Sequence, residues 1–152
     1  MNTLNLPAFD HKIRKGDNAR DEIWDGFRRK YVALTPEEWV RQHFLHFLVA
    51  ERHFPAALMG VEVALKINHM PKRCDIVAYD RSGKPLMIVE CKAPHVEITQ
   101  DVFNQVALYN LSVIGPYVVV TNGFTHYACK INHAEKNWQF LPDIPDYKLI
   151  QR

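Results

Sequence analysis

Charged residues interrupt two strand-like apolar runs of this sequence. Asp75 lies inside the run 74–79, and Glu90 and Lys92 lie in the run 86–92. Burying a charge is costly, so a charge within an apolar strand usually has a task. Because side chains alternate along a strand, Glu90 and Lys92 are expected on the same side. Two carboxylates and a lysine on one sheet face can hold a hard divalent cation and orient a water molecule beside it. The pattern therefore predicts metal-dependent hydrolysis of phosphodiesters.

Each of these residues also has a simpler explanation. Asp75 alone is equally compatible with a strand-end acid that pairs with Arg73. Lys92 alone has the commonest position of a lysine, at the exposed end of a strand. The functional interpretation is favoured because Glu90 is expected in register with Asp75 on a neighbouring strand, and because Lys92 follows Glu90 by two residues.

The overall composition is that of an ordinary globular protein. The 152 residues, 47% hydrophobic and 24% charged, predict one domain over 1–152, with an N-terminal arm at 1–20 and a tail at 142–152. A net charge of +2 does not itself indicate a nucleic-acid partner. Basic clusters at 12–15 and 28–30 could contact phosphates, but such clusters are more typical of a solvated surface.

Cysteine usage and hydropathy predict the compartment. The three cysteines follow no paired-ligand spacing, which favours buried free thiols in a reducing environment over zinc or disulfides. No apolar run approaches the ~20 residues that cross a bilayer. The N-terminus carries no export signal. We therefore expect a cytoplasmic protein without a membrane partner.

The elements that must position these residues follow from local signals. Thr35 and Pro36 predict the start of a helix that runs to about residue 52. Other segments are predicted from periodicity and turn residues. They are helices at 20–31 and 99–113, strands at 61–67, 73–80, 85–92, 117–121, 124–131 and 138–141, and turns at 81–84 and 122–123. This order predicts an α/β protein with a central mixed β-sheet flanked by helices.

Five segments in this order resemble the PD-(D/E)XK nuclease superfamily. More narrowly, they resemble the nuclease-type N-terminal domain of type I restriction enzyme R subunits. The matching segments are 36–42, 72–77, 89–94, 105–109 and 120–123. The resemblance covers roughly residues 20–131 and implies a restriction-endonuclease-like core. The motor segments of an R subunit are not found within the 152 residues, so we expect a nuclease-like domain without ATP-driven translocation.

The resemblance also implies a role for each residue. Asp75 and Glu90 would ligate Mg²⁺ or Mn²⁺ together with the backbone carbonyl of Cys91, and Lys92 would act on the attacking water. Gln105 and Tyr109 share one helix face and would contact substrate or orient the catalytic groups. The simpler explanation of that pair is a partly buried tyrosine capped by an amide.

A helix acid would complete the site. Glu37 and Glu38 project about 100° apart, so only one of them can turn toward the sheet. Both can also act only on the helix dipole. The family pattern favours Glu38, which would bind the metal through water.

Three hypotheses about function follow. The first is a magnesium-dependent endonuclease that cleaves DNA, with other restriction-system subunits or a homodimer partner. The second is a nucleic-acid-binding or regulatory module of the same fold with little catalysis of its own. The third is a purely structural αβ protein, which predicts that Asp75 and Glu90 lie far apart.

Overall fold

A computed structural model describes the chain except residues 2, 68, 112–114 and 152 and the side chains of residues 67 and 109. Nine β-strands and three α-helices are present in the described part, besides two short 3-10 helices. In chain order they are β1 (Ile13–Lys15), β2 (Asp21–Asp25), β3 (Lys30–Ala33), α1 (Pro36–Arg52), β4 (Met59–Ile67), β5 (Met70–Tyr79), β6 (Pro85–Cys91), α2 (Gln100–Asn110), β7 (Tyr117–Thr121), β8 (His126–Asn132), β9 (Asn137–Phe140) and α3 (Tyr147–Ile150).

The protein has a mixed α/β architecture built on two sheets. The larger sheet has the order β4-β5-β6-β7-β8-β9, and the smaller, antiparallel sheet has the order β1-β2-β3. In the larger sheet only β6 and β7 pair in parallel, and α2 lies in the connection between them. A parallel pair requires such a crossover, because its two strands begin at the same edge of the sheet. The predicted mixed sheet flanked by helices is confirmed.

Helix α1 begins and ends where its capping residues predict. The Thr35 hydroxyl oxygen accepts a hydrogen bond from the Glu38 N–H at 3.0 Å, and Pro36 occupies the first turn. His53 ends the helix in the left-handed conformation, with φ 61°. Apolar residues of α1 such as Phe44 pack on one face of the large sheet and form the main core. No helix in the described parts of the chain is long and apolar enough to span a membrane.

Helix α2 covers the opposite face of the same sheet. Phe103 and Ala107 pack against Val118, Val120 and Cys129 in a second apolar cluster. The faces of β7 therefore alternate between the two cores, as a strand buried on both sides must. All three cysteines, Cys74, Cys91 and Cys129, are buried free thiols, as predicted.

Two polar turns hold the hairpins in register. Asp80 accepts hydrogen bonds from the backbone N–H groups of Ser82 and Lys84 in the β5–β6 turn. Asn122 accepts from the N–H groups of Phe124 and Thr125 in the β7–β8 turn, where Gly123 has φ 88°. Both turns were predicted from sequence, because aspartate and asparagine hydrogen-bond the backbone two residues on and glycine permits positive φ.

The predicted helix at 20–31 is wrong, because this segment forms the hairpin of β2 and β3. The Asp25 carboxylate accepts hydrogen bonds from the N–H groups of Phe27 and Arg28 at 2.7 and 3.0 Å, so the chain turns there. Such local bonds compete with helix formation. The arm predicted as irregular also contains β1, and the predicted tail contains α3.

A ring cluster beneath the N-terminal segment makes stability dependent on pH. The Phe9 ring stacks on His46 at 4.2 Å between centroids and meets His43 edge-on at 4.8 Å. Burial lowers the pKa of both histidines below 6.5, and for His46 the nearby His43 adds to the effect. The folded protein therefore holds them neutral, while the unfolded chain protonates them near its ordinary value.

We expect the free energy of unfolding to fall as the pH decreases through about 6.5, because the unfolded chain then binds more protons. Urea unfolding at about pH 7.5 and about pH 5.5 measures this change. The double variant His43→Gln/His46→Gln should lose much of the pH dependence, whereas His95→Gln, at an exposed histidine, should retain it. Equal pH dependence in both variants would contradict the assignment.

Candidate active site

Asp75 lies where the ladder between β5 and β6 ends. Ile76 pairs with Val89, so Asp75 and Glu90 both follow at the end of this ladder on neighbouring strands, and the charge of Asp75 acts on Glu90. The N–H of Cys91 donates to Asp75 Oδ2 at 2.8 Å. The side chains of Asp75 and Glu90 keep 14% and 12% of their area exposed, so both carboxylates are near the surface. Asp75 and Glu90 therefore lie on neighbouring strands, whereas the hypothesis of a purely structural protein predicts that they lie far apart.

The Arg41 guanidinium links α1 to this carboxylate pair. Its Nη2 donates to Asp75 Oδ1 at 2.8 Å, and its Nη1 donates to Glu38 Oε1 at 2.5 Å. Longer contacts of 3.2 and 3.1 Å reach Glu37 and Glu62. The side chain is 5% exposed. Burial lowers the pKa of Arg41, but the hydrogen bond with Asp75 and the charge of Glu38 outweigh it, so the pKa is raised.

Lys72 forms an ion pair with Glu90, as Arg41 does with Asp75. Its Nζ donates to Glu90 Oε1 at 2.8 Å. Burial raises the pKa of the Glu90 carboxyl, the ion pair with Lys72 lowers it, and the charge of Asp75 raises it further. The net direction is upward, which is the behaviour of two carboxylates that share a poorly hydrated site.

Lys92 directly follows β6, and its charge acts on carboxylates of the site. Its backbone N–H donates to Thr121 O at 2.8 Å, which fixes the chain just beyond the strand. The pKa of Glu37 and that of Glu90 are both raised, and the positive charge of Lys92 partly opposes this rise at each carboxyl. Within the described residues Lys92 forms no ion pair. A half-buried ammonium without a fixed carboxylate is free to meet a substrate.

The two helix acids differ in their surroundings. Glu38 is buried and accepts hydrogen bonds from Arg28, Arg41 and Gln42. The Glu37 side chain is 47% exposed. Burial raises the pKa of Glu37, and the charge of Asp75 raises it further. The structure therefore places Glu38 in a network of structural ion pairs and brings Glu37 into the field of Asp75 and Lys92.

Glu62 joins the site although the sequence analysis did not select it. It lies between the pairs Val61–Ile76 and Val63–Cys74 of β4 and β5, and its carboxylate contacts Arg41 and Arg73, each at 3.1 Å. Its backbone is left-handed, with φ 55°, which is costly for a residue other than glycine. Glu62 interrupts the apolar run 61–65 as Asp75 interrupts the run 74–79, so the same sequence pattern indicates both acids. Arg73 thus pairs with Glu62 and not with Asp75.

The predicted substrate pair lies on α2. Gln105 is exposed, and its side chain makes no hydrogen bond to another described residue. The backbone of Tyr109 belongs to the same helix, and its side chain lies outside what the structure describes. The structure does not bring Gln105 into contact with the carboxylates, and the role of the pair stays a prediction.

A groove of about 540 Å³ adjoins the acids. It is lined by the end of β3, by residues near the start of α1 that include Glu37 and Arg41, by Glu62, and by His95. Its carboxylates and the Arg41 guanidinium are in contact with each other. Such a groove admits a flexible polar chain as readily as a compact molecule.

The donor set fits a hard divalent cation in type and number. Among the described residues no three His, Cys, Asp or Glu side chains form a metal-binding group. A cation here would therefore rest on the carboxylates of Asp75 and Glu90, and Mg²⁺ accepts one or two carboxylates with water in the remaining positions. Only Oε1 of Glu90 is hydrogen-bonded within the described part of the chain. Arg41 and Lys72 now neutralise the pair that such a cation would neutralise.

The family model for the type I restriction enzyme R protein N terminus matches residues 36–145. The chain belongs to this family. The match begins at α1 and extends beyond β9, so it includes Asp75, Glu90 and Lys92 and all of the large sheet. It relates the protein to restriction systems. A search of curated proteins returned no match.

We expect Arg41→Ala to lower the free energy of unfolding by about 3 kcal/mol, because it leaves buried carboxylates without their counter-charge. Arg73→Ala removes an arginine whose side chain is 68% exposed. It should cost less than about 1 kcal/mol. Urea unfolding of both variants at neutral pH makes the comparison. Equal losses in the two variants would show that the buried network does not stabilise the fold.

Proposed function

We propose that this protein is a divalent-metal-dependent endonuclease that hydrolyses phosphodiester bonds of DNA with a PD-(D/E)XK site. The observation that supports the proposal is the juxtaposition of Asp75 and Glu90 on neighbouring strands, with Lys92 two residues beyond Glu90. The family match adds that the chain is related to restriction enzymes. Cleavage within a restriction system is the activity that joins these two facts.

Each residue has a part that its surroundings support. The carboxylates of Asp75 and Glu90 would hold Mg²⁺ or Mn²⁺, with the carbonyl of Cys91 as a further ligand. When bound, the cation would polarise the scissile phosphate and lower the pKa of a water molecule. The Lys92 ammonium would donate a hydrogen bond to the attacking oxygen and stabilise the negative charge that develops.

The helix acid of the proposed site is Glu37 in preference to Glu38. Glu38 is engaged by two arginines and a glutamine. Glu37 is partly exposed and shares the field of Asp75 and Lys92. A carboxylate in that position can accept a hydrogen bond from a water molecule in the groove. Gln105 and Tyr109 remain candidates for contacting DNA.

A binding or regulatory module is the second candidate, and one observation favours it. Arg41 and Lys72 already neutralise Asp75 and Glu90, so a cation must compete with two ion pairs. A partner subunit or a second copy of the chain could shift that balance. Two copies would also explain how one site per chain cuts both strands of a duplex.

Lys92→Ala should reduce DNA cleavage with Mg²⁺ or Mn²⁺ by about 100-fold or more, because one preorganised donor to the developing charge is lost. Asp75→Asn should abolish both cleavage and Mn²⁺ binding, measured by electron paramagnetic resonance, while Lys92→Ala retains Mn²⁺ binding. Lys84→Ala, at the exposed β5–β6 turn, is the matched control and should leave both properties unchanged.

Cleavage that Lys92→Ala and EDTA leave untouched would come from a contaminant and refute the proposal. Mn²⁺ binding that depends on Asp75, together with no cleavage of single-stranded, duplex or branched DNA by wild type, would favour the binding module.

The two helix acids can be separated by substitution with glutamine. Glu37→Gln should lower cleavage and leave the free energy of unfolding nearly unchanged, because Glu37 is half exposed. Glu38→Gln should lower the free energy of unfolding by about 2 kcal/mol or more, because Arg28 and Arg41 then lose a shared buried carboxylate. Cleavage rates and urea unfolding, measured on both variants, distinguish the roles. A stable Glu38→Gln variant without activity would assign the helix acid to Glu38.

A further inference from the structure

The three-stranded sheet β1–β3 has one face toward the core and one toward solvent. It precedes the family match, which begins at residue 36. Ile23 and Val32 pair across β2 and β3 and pack against the main core. Trp24 and Tyr31 form the next pair, so they project from the opposite face. The outer face therefore carries two aromatic rings that the core does not use.

These rings form an open platform together with an arginine. Trp24 is 36% exposed, and its ring meets Tyr31 edge-to-face at 5.2 Å between centroids. The Arg14 guanidinium lies 3.8 Å from the centroid of the Tyr31 ring while its Nε donates to Glu22. Tyr31 is thus covered and held in place, and Trp24 is the ring left open. A tryptophan that a protein holds rigidly at its surface loses little entropy when it stacks on a flat partner.

Positive charge surrounds this platform. The segment 12–33 holds seven lysine and arginine residues against four acids. Arg14, Lys15 and Arg28 form ion pairs with the acids of the segment. The other four basic residues are exposed and form no ion pair with any described residue; they are Lys12, Arg20, Arg29 and Lys30. Lys12 lies opposite Trp24 in the register of β1 and β2, and Arg20 shares the alternation of Trp24, so both belong to the outer face. Unpaired basic residues beside aromatic rings are complementary to a chain of phosphates and bases.

We infer that the outer face of β1–β3 binds a single-stranded segment of nucleic acid, with a base stacked on Trp24 and phosphates on the unpaired lysine and arginine residues. The inference goes beyond the proposed function, because it assigns a binding surface for an unpaired strand that lies outside the carboxylate site. A paired base is already stacked on its neighbours in a duplex, so the face selects an unpaired base.

Fluorescence anisotropy with labelled oligonucleotides in EDTA tests binding without cleavage. The probes are single-stranded DNA, single-stranded RNA of the same sequence, and duplex DNA. Trp24→Ala should weaken binding of the single strands about tenfold, since one base loses its stacking partner. Trp24→Phe should restore most of the affinity, because a ring remains. Phe140→Ala removes an exposed aromatic ring from β9, outside this sheet, and should bind like wild type.

A second variant keeps the test decisive if Trp24→Ala does not fold. Lys12→Ala/Arg20→Ala removes two exposed charges from the outer face and should weaken binding and reduce its salt dependence. The inference is refuted if the Trp24 and Phe140 variants bind alike, or if the charge variant binds single strands like wild type. It is also refuted if duplex binds as tightly as single strands and depends equally on Trp24. The DNA and RNA arms identify which strand the face prefers.

Failure of this inference differs from failure of the proposed function. Asp75→Asn should bind single strands normally in EDTA, because Asp75 is not part of the face. Equal binding of single strands by wild type and Trp24→Ala, with cleavage that still depends on Asp75, would overturn only the stacking surface. Trp24-dependent binding by a wild type that cuts no DNA would support the surface and remove the nuclease.

Discussion

One buried guanidinium holds the helix, the sheet and the acids together. Arg41 projects from α1 and joins Glu38 on its own helix to Asp75, 34 residues away on β5. A buried arginine is tolerated only where carboxylates compensate its desolvation, so the position of α1 over the sheet and the position of the acids are one constraint. A change in the angle between α1 and β5 would separate the Arg41 guanidinium from the Asp75 carboxylate in a poorly hydrated place.

Positive side chains also neutralise the two carboxylates of the site. Asp75 and Glu90 lie on neighbouring strands, and two like charges in a poorly hydrated place are unfavourable unless a positive group lies between or beside them. Arg41 and Lys72 supply those positive groups. Lys92 differs because it acts on Glu37 and Glu90 at a distance and forms no ion pair among the described residues. The three cations thus divide into two that organise acids and one that stays available.

Local chemistry explains which parts of the fold could be predicted from the sequence. The start of α1 at Thr35 and Pro36 and the turns at Asp80 and Asn122 depend on hydrogen bonds a few residues apart. Their signals are complete within a short window. The β2–β3 hairpin was missed because the spacing of Ile23, Trp24, Phe27 and Tyr31 also fits a helix, and the Asp25 turn decides between the two. The pairing of Arg41 with Asp75 depends on a contact distant in sequence, which no local pattern contains. Glu62 was predictable, since it interrupts an apolar strand as Asp75 does.

The three thiols lie on three different strands of the large sheet: Cys74 on β5, Cys91 on β6 and Cys129 on β8. Burial raises the pKa of Cys74 to about 11 and that of Cys129 to about 12, and it raises the pKa of Cys91 as well. Only a thiolate reacts quickly with an alkylating reagent, so the three thiols react slowly at neutral pH while the sheet is intact. Each cysteine becomes reactive only when its own strand opens to water. The rate at which each of the three cysteines is alkylated therefore measures the opening of its own strand. The order in which the three strands open can be determined in this way without introducing any label.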